Sequence, residues 1–265
     1  MATTSDEKRH EQWRRDRVAS VSSPQGNLAL VETRWYPAGT TIPADDLRAD
    51  DDGVTITTLR RTDLDSGLVQ EGLRRWDAHS PAIEAFTGID AYPYDPAWVV
   101  TGRYTPLDEG HTVAFEHLRD NGRTRDLAVP GRIDVEIDGQ PYALHAFDDG
   151  GTLLLVFADT TNGSETYGAG RFVFVERAAD GFATAGEVTI DFNRAFVPPC
   201  GFSDQYNCPF PPASNRLAVA VRAGEKLPLF ATDAASRHSF VSTRENSTNP
   251  WSSTFTNPRF GASTP

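Results

Sequence analysis

In two runs of the chain, apolar residues recur at every second position. Val188, Ile190 and Phe192 alternate with polar neighbours, and Leu217, Val219 and Val221 with alanines, the period of a strand with one buried face. Short runs with β-branched or aromatic content also occupy Ala97 to Tyr104, Thr112 to Leu118, Arg123 to Val129, Ile133 to Ile137, Tyr142 to Phe147, Leu153 to Phe157 and Arg171 to Val175. Between them stand Asn121-Gly122, Asp138-Gly139, Asp149-Gly150-Gly151 and Asp180-Gly181, residues that accept the positive φ values of type I′ hairpin turns. Asn27 to Trp35 and Gly53 to Arg60 read as two earlier strands. The pattern predicts a mainly β fold, an antiparallel meander that closes into a barrel or folds over into a sandwich, because both arrangements hide strand edges.

Two segments depart from that period. Residues 5 to 21 are charged, with Trp13, Val18 and Val21 near one face, and Thr4 to Glu7 offer a capping box, so an N-terminal helix docked on the sheet is expected. Ser80 before Pro81 supplies the N-cap and first position of a short second helix. The chain then divides into the helix (1–22), a β-rich domain (23–230) and a polar tail (231–265) with no sustained period. Trp251, Phe255 and Phe260 would let that tail strap across the protein or onto a neighbouring subunit, which makes a homo-oligomer held through the tail an expectation.

The net charge of −12 disfavours nucleic acid and anionic membrane surfaces as partners. No apolar run is long enough to span a bilayer, and the N-terminus has no apolar leader, so a cytoplasmic location is expected. Basic charge is almost all arginine, with Lys8 and Lys226 the two lysines. Asp50-Asp51-Asp52 lacks the ligand register of a calcium loop and reads as a solvated turn.

Cys200 and Cys208, the two cysteines, sit in a loop stiffened by Pro198, Pro199, Pro209, Pro211 and Pro212 and carrying Phe196, Phe202, Tyr206 and Phe210. Their spacing fits a close, oxidisable structural pair, two packed thiols, half of a zinc site or a nucleophile, and no histidine stands at a ligand spacing from them. Upstream, Asp159, Tyr167 and Arg171 flank a glycine-rich turn that lacks phosphate-loop spacing. There Arg171 either pairs with Asp159 across the sheet or points into a barrel mouth as an anion clamp. Asp191 and Asn193 flank Phe192 and, in a strand, face away from it, toward solvent or a polar lumen, or brace a loop.

Three ordered segments also carry a family resemblance. DFNRAFVPPCGFSDQYNCPFPPASNRLAVAVRAGEK from Asp191, FADTTNGSETYGAGRF from Phe157 and FTGIDAYPYDPAWVVTGRY from Phe86 resemble the signature segments of a bacterial domain-of-unknown-function family, number 1684, and the likeness covers roughly residues 10 to 228. Val197 stands where that family usually has Asn, and the chain after Phe230 is an extension. The resemblance implies no reaction or ligand, but it makes Asp191-Phe192-Asn193 part of the main signature, which points toward a polar lumen or loop-anchoring hydrogen bonds.

These readings combine into one expectation. Asp159, Tyr167, Arg171, Asp191 and Asn193 line a pocket at one end of the barrel or sandwich, covered by the Cys200 to Pro212 loop, which binds a small polar or anionic molecule. No cofactor or metal is required. The alternatives are a hydrolase or isomerase using Asp191 or Asp159 as general base with Arg171 stabilising charge, and an interaction or scaffold module.

Overall fold

The computed structural model of the chain describes residues 5–120, 124–178 and 181–231. Thr4 of the expected capping box, the Asn121-Gly122 turn, Asp180 and the tail with Trp251, Phe255 and Phe260 lie outside them. Among the described residues the α-helices are α1 (Ser5–Val21) and α2 (Pro81–Ala85). Ser80 caps α2, its hydroxyl accepting from the Ile83 amide at 3.2 Å. Thirteen strands follow one another: β1 (Leu30–Trp35), β2 (Val54–Thr62), β3 (Val69–Asp77), β4 (Phe86–Ala91), β5 (Val99–Pro106), β6 (Thr112–Glu116), β7 (Thr124–Ala128), β8 (Gly131–Ile137), β9 (Gln140–Asp149), β10 (Thr152–Phe157), β11 (Arg171–Arg177), β12 (Gly186–Asp191) and β13 (Glu225–Phe230).

Of the two closures the pattern allowed, the barrel forms. Strands β10, β11, β12, β5, β8 and β9 pair in that order, antiparallel throughout, into a closed ring. Asp138 and Gly139 link β8 to β9 with φ values of 49° and 72°, as a type I′ hairpin requires. In β8, Gly131, Ile133, Val135 and Ile137 are buried while Arg132 and Glu136 are exposed, so every second side chain points inward. Tyr104, Leu144, Leu155, Phe157, Val173 and Ile190 complete a continuous apolar core with them. Six strands enclose little space, and these side chains fill it, so the barrel has no polar lumen.

The remaining strands decorate this barrel. β1, β3 and β2 form a three-stranded sheet, β4 pairs with β13, and β6 pairs with β7. Phe115, Leu154, Val156 and Phe172 make a second core on the outer face of the barrel, and Val21, Leu28, Ile89, Val197 and Phe202 a third. Among the described residues, no helix is long and apolar enough to cross a membrane.

Three sequence expectations change. The run around Leu217, Val219 and Val221 is not one of the strands; it makes a single parallel bridge, Arg216 with Ala158, while Leu217 and Val221 bury themselves in the barrel core. Phe192 and Asn193 leave the strand for a 3-10 turn, Phe192–Arg194, so they do not take opposite faces of a sheet. Strands β3, β4 and β13 stand where no strand was expected.

Candidate functional site

Arg171 opens β11, directly opposite Phe157 at the end of β10. Both it and Asp159 have fully enclosed side chains, and the guanidinium donates to the carboxylate at 2.7 Å. It also donates to the carbonyls of Val221 (2.7 Å), Ala223 (2.5 Å) and Glu225 (3.2 Å). The other Asp159 oxygen accepts from the amide and hydroxyl of Thr161 at 2.8 and 2.5 Å. Gly170 makes this approach possible: at φ 95° a Cβ there would lie 2.6 Å from the Phe157 carbonyl and 2.7 Å from Pro211. The pair is therefore a closed brace for residues 221–225, and Arg171 does not reach a barrel mouth as an anion clamp. Asp159, enclosed and saturated with donors, has no free face from which to act as a general base.

Asn193 is likewise an internal brace. Its amide group accepts from the Asp95 amide and donates to the Asp95 carbonyl, both at 2.9 Å, and donates to Asp191 at 3.0 Å. Asp191 caps the turn through the Asn193 amide at 3.0 Å and lies 3.4 Å from the Arg194 guanidinium. The Tyr167 hydroxyl meets the Cys200 carbonyl at 3.2 Å and its sulfur at 3.6 Å, and burial pushes its pKa up. The five expected pocket residues thus divide into two internal braces and a contact with the cysteine loop. Of the five, Asp191 alone lines the cavity described next.

That cavity is a groove of about 530 Å³ on the outside of the barrel. Its floor follows from strand register: Leu154 of β10 stands opposite both Phe174 of β11 and Phe147 of β9, which makes one apolar row across three strands. Phe172 and Phe196 extend it, Phe196 stacking on Phe174 at 5.7 Å. Phe174 remains 45% exposed. Trp13 and Arg17 of α1 form one wall, and Pro199 with Tyr206 to Pro209 of the cysteine loop form another. Asp191, Arg194 and Glu176 make a charged rim.

Of the three arginines in the groove, Arg17 and Arg74 differ in their state. Arg17 is committed: it pairs with buried Glu225 at 3.1 Å, donates to the Val197 carbonyl at 2.8 Å and lies over the rings of Phe196 and Phe202. Glu225 also accepts from the Val197 amide at 2.8 Å, and burial raises the pKa of its carboxyl. Arg74 of β3 faces the Tyr206 ring at 5.1 Å, and its buried Nε has no hydrogen-bond partner. Among the described residues no carboxylate pairs with it. A second concavity, about 300 Å³ beside β2, offers only Arg60, which Glu71 already occupies at 2.6 Å.

Cys200 and Cys208 are free thiols. The Cys200 amide donates to the Cys208 sulfur at 3.3 Å, and Cys208 stands in the groove wall. Among the described residues, no group of three or more His, Cys, Asp or Glu side chains is arranged to hold a metal ion. Asp50 to Asp52 form an exposed turn, as expected, in which Asp50 and Asp51 both reach Arg75.

Arg74 and Phe174 escaped the sequence reading, and Trp13 was read there only as part of the docking face of the helix. One signal was present: in RFVFVER, Phe172 and Phe174 alternate with Val173 and Val175, so both faces of the strand are apolar and its outer face needs a cover.

A family model described as "Protein of unknown function (DUF1684)" matches residues 84–226, a narrower span than the sequence resemblance suggested. Among solved structures, the chain is similar to an uncharacterized protein of Haloarcula marismortui determined by solution NMR, with 34% identity, coverage of 53% of this chain and 77% of that one, and a TM-score of 0.43. No curated protein matches the chain.

Proposed function

The chain belongs to the DUF1684 family of proteins of unknown function, and from its own residues we propose that it binds a small amphiphile, with an alkyl or aromatic body and one acidic group, in the groove outside the barrel. The observation that carries this reading is Arg74, whose buried Nε has no hydrogen-bond partner among the described residues and which stands beside the apolar row of Phe147, Leu154 and Phe174. A planar guanidinium accepts a carboxylate, sulfonate or phosphate in bidentate geometry, and the neighbouring rings suit an apolar body. The loop from Pro199 to Pro209, which contains both cysteines, then serves as a wall over the bound molecule.

Fluorescence titration with anilinonaphthalene sulfonate, followed by competition, tests the reading. Saturable binding is expected, displaced by decanoate and not by decanol. Arg74→Ala should weaken binding about 10- to 100-fold, the range of one charged hydrogen bond, with an unchanged circular dichroism spectrum. Equal affinity in Arg74→Ala, or equal competition by decanol, would remove the acidic-group assignment; no saturable binding would remove the groove.

A further inference from the structure

The Cys200 and Cys208 sulfurs belong to a rigidly held pair. Cys200 lies within the 3-10 turn Pro199–Gly201, where the Gly201 and Phe202 amides donate back to Pro198 and Pro199 at 2.8 and 3.0 Å. Cys208 is fixed from the other side, its carbonyl accepting from the Leu118 amide at 3.0 Å. Phe202, between them in sequence, is buried in the third core, so the intervening loop cannot swing the two apart. The Cys200 amide already touches the Cys208 sulfur.

We propose that Cys200 and Cys208 form a redox-active dithiol that closes reversibly to an intramolecular disulfide by exchange with a small disulfide such as glutathione disulfide. The two thiols are unequal. The Cys208 side chain, and secondarily the Tyr167 hydroxyl, hold the Cys200 thiol below its ordinary pKa, while the hydrogen bond to Cys200 and burial push Cys208 up. Cys200 is also the more exposed of the pair. It is therefore the attacking sulfur.

The Cys200 thiolate attacks one sulfur of glutathione disulfide, forms a mixed disulfide and expels one glutathione thiolate. Cys208 then attacks the Cys200 sulfur, its proton passing to the departing glutathione. The Cys200–Cys208 bond forms as the mixed disulfide breaks. Two thiols of the protein are oxidised and one glutathione disulfide is reduced to two glutathiones. This chemistry stands whether or not the groove binds an amphiphile.

The test equilibrates the full chain in glutathione buffers from reducing to oxidising, quenches in acid, alkylates the remaining thiols and counts them by intact mass. Both thiols should disappear together in monomeric protein and return with reductant. In Cys208→Ser, one glutathione should be trapped on Cys200, located by peptide mapping; in folded Cys200→Ser, Cys208 should stay unmodified. Two alkylatable thiols in the most oxidising buffer, or oxidation only as interchain dimers, would overturn the dithiol. That count uses the native chain, so it decides even if neither variant folds. A glutathione on Cys208 in preference to Cys200 would overturn the assigned order of attack.

Discussion

The guanidinium of Arg171 and the carboxylate of Asp159 meet at 2.7 Å with neither side chain in contact with solvent. The same guanidinium holds three carbonyls of the segment that plugs the barrel end. Val221 and Ala223 precede β13 and pair with no described strand, so at those two positions a single side chain supplies the donors that a neighbouring strand would otherwise provide, and it adds a third at Glu225, where β13 begins to pair with β4.

Asp159→Ala should therefore leave an uncompensated cation in the interior and lower stability by about 3–5 kcal/mol. The double replacement Asp159→Val with Arg171→Met removes both charges, but should recover only part of this, because three carbonyls lose their donors. Urea unfolding monitored by tryptophan fluorescence gives both values. A loss under about 1 kcal/mol in the single variant would show that the pair does not brace the fold.

Two glycines with positive φ separate backbone strain from steric clash. Gly150 has φ 64° with open space around it, whereas Gly170 combines φ 95° with the Phe157 carbonyl 2.6 Å from a built Cβ. Gly150→Ala should cost roughly 1–2 kcal/mol, the left-handed penalty alone. Gly170→Ala should add ~1–3 kcal/mol of overpacking to that. Thermal unfolding of the two variants side by side measures the difference, and equal melting temperatures would refute the close approach.

His10 of α1 is buried between Trp13 and Tyr94, its ring centroid 5.8 and 5.4 Å from theirs. Burial lowers its pKa below 6.5, against the pull of Asp191 and Glu11 and with the help of Arg14 and Arg194. The unfolded chain binds the proton first, so this residue takes stability away as pH falls below about 6.5 and contributes nothing above it. His10→Phe keeps a ring and removes the proton. Its stability relative to the native chain should rise as pH drops from about 7.5 to 5.5, by up to ~1.4 kcal/mol per pH unit. Parallel curves in denaturant titrations at both pH values would show that His10 is not held neutral.

Much of the barrel was legible because its signals are local. Asp138-Gly139 dictates a hairpin, and the strict alternation of β8 names its inward face. The strand β3 was hidden, since LVQEGLRRWD holds a glycine and few β-branched residues. It extends because β1 and β2 pair on both its sides, and Gly72 leaves room for the Trp35 ring, 2.7 Å from where a Cβ would stand. β13 contains Pro228, which argues against a strand, yet the strand forms at an edge with a register shift beside that proline. The groove was invisible for another reason: Trp13, Arg74, Phe174 and Tyr206 come from four distant segments, and no spacing along the chain joins them.

A ring of six paired strands offers no free backbone to another molecule. In the appended sheet, the outer side of β1 is partly covered by the cysteine loop, where the Thr33 amide donates to Gln205 at 2.9 Å and Ser203 donates to the Leu30 carbonyl at 2.7 Å. β2, at the far edge, is touched at its end by Arg125, which donates to the Thr62 carbonyl at 3.0 Å, and it carries Arg60 and Arg61, the latter stacked 4.0 Å over Trp35. At this edge of the sheet charge, rather than a further paired strand, guards against aggregation.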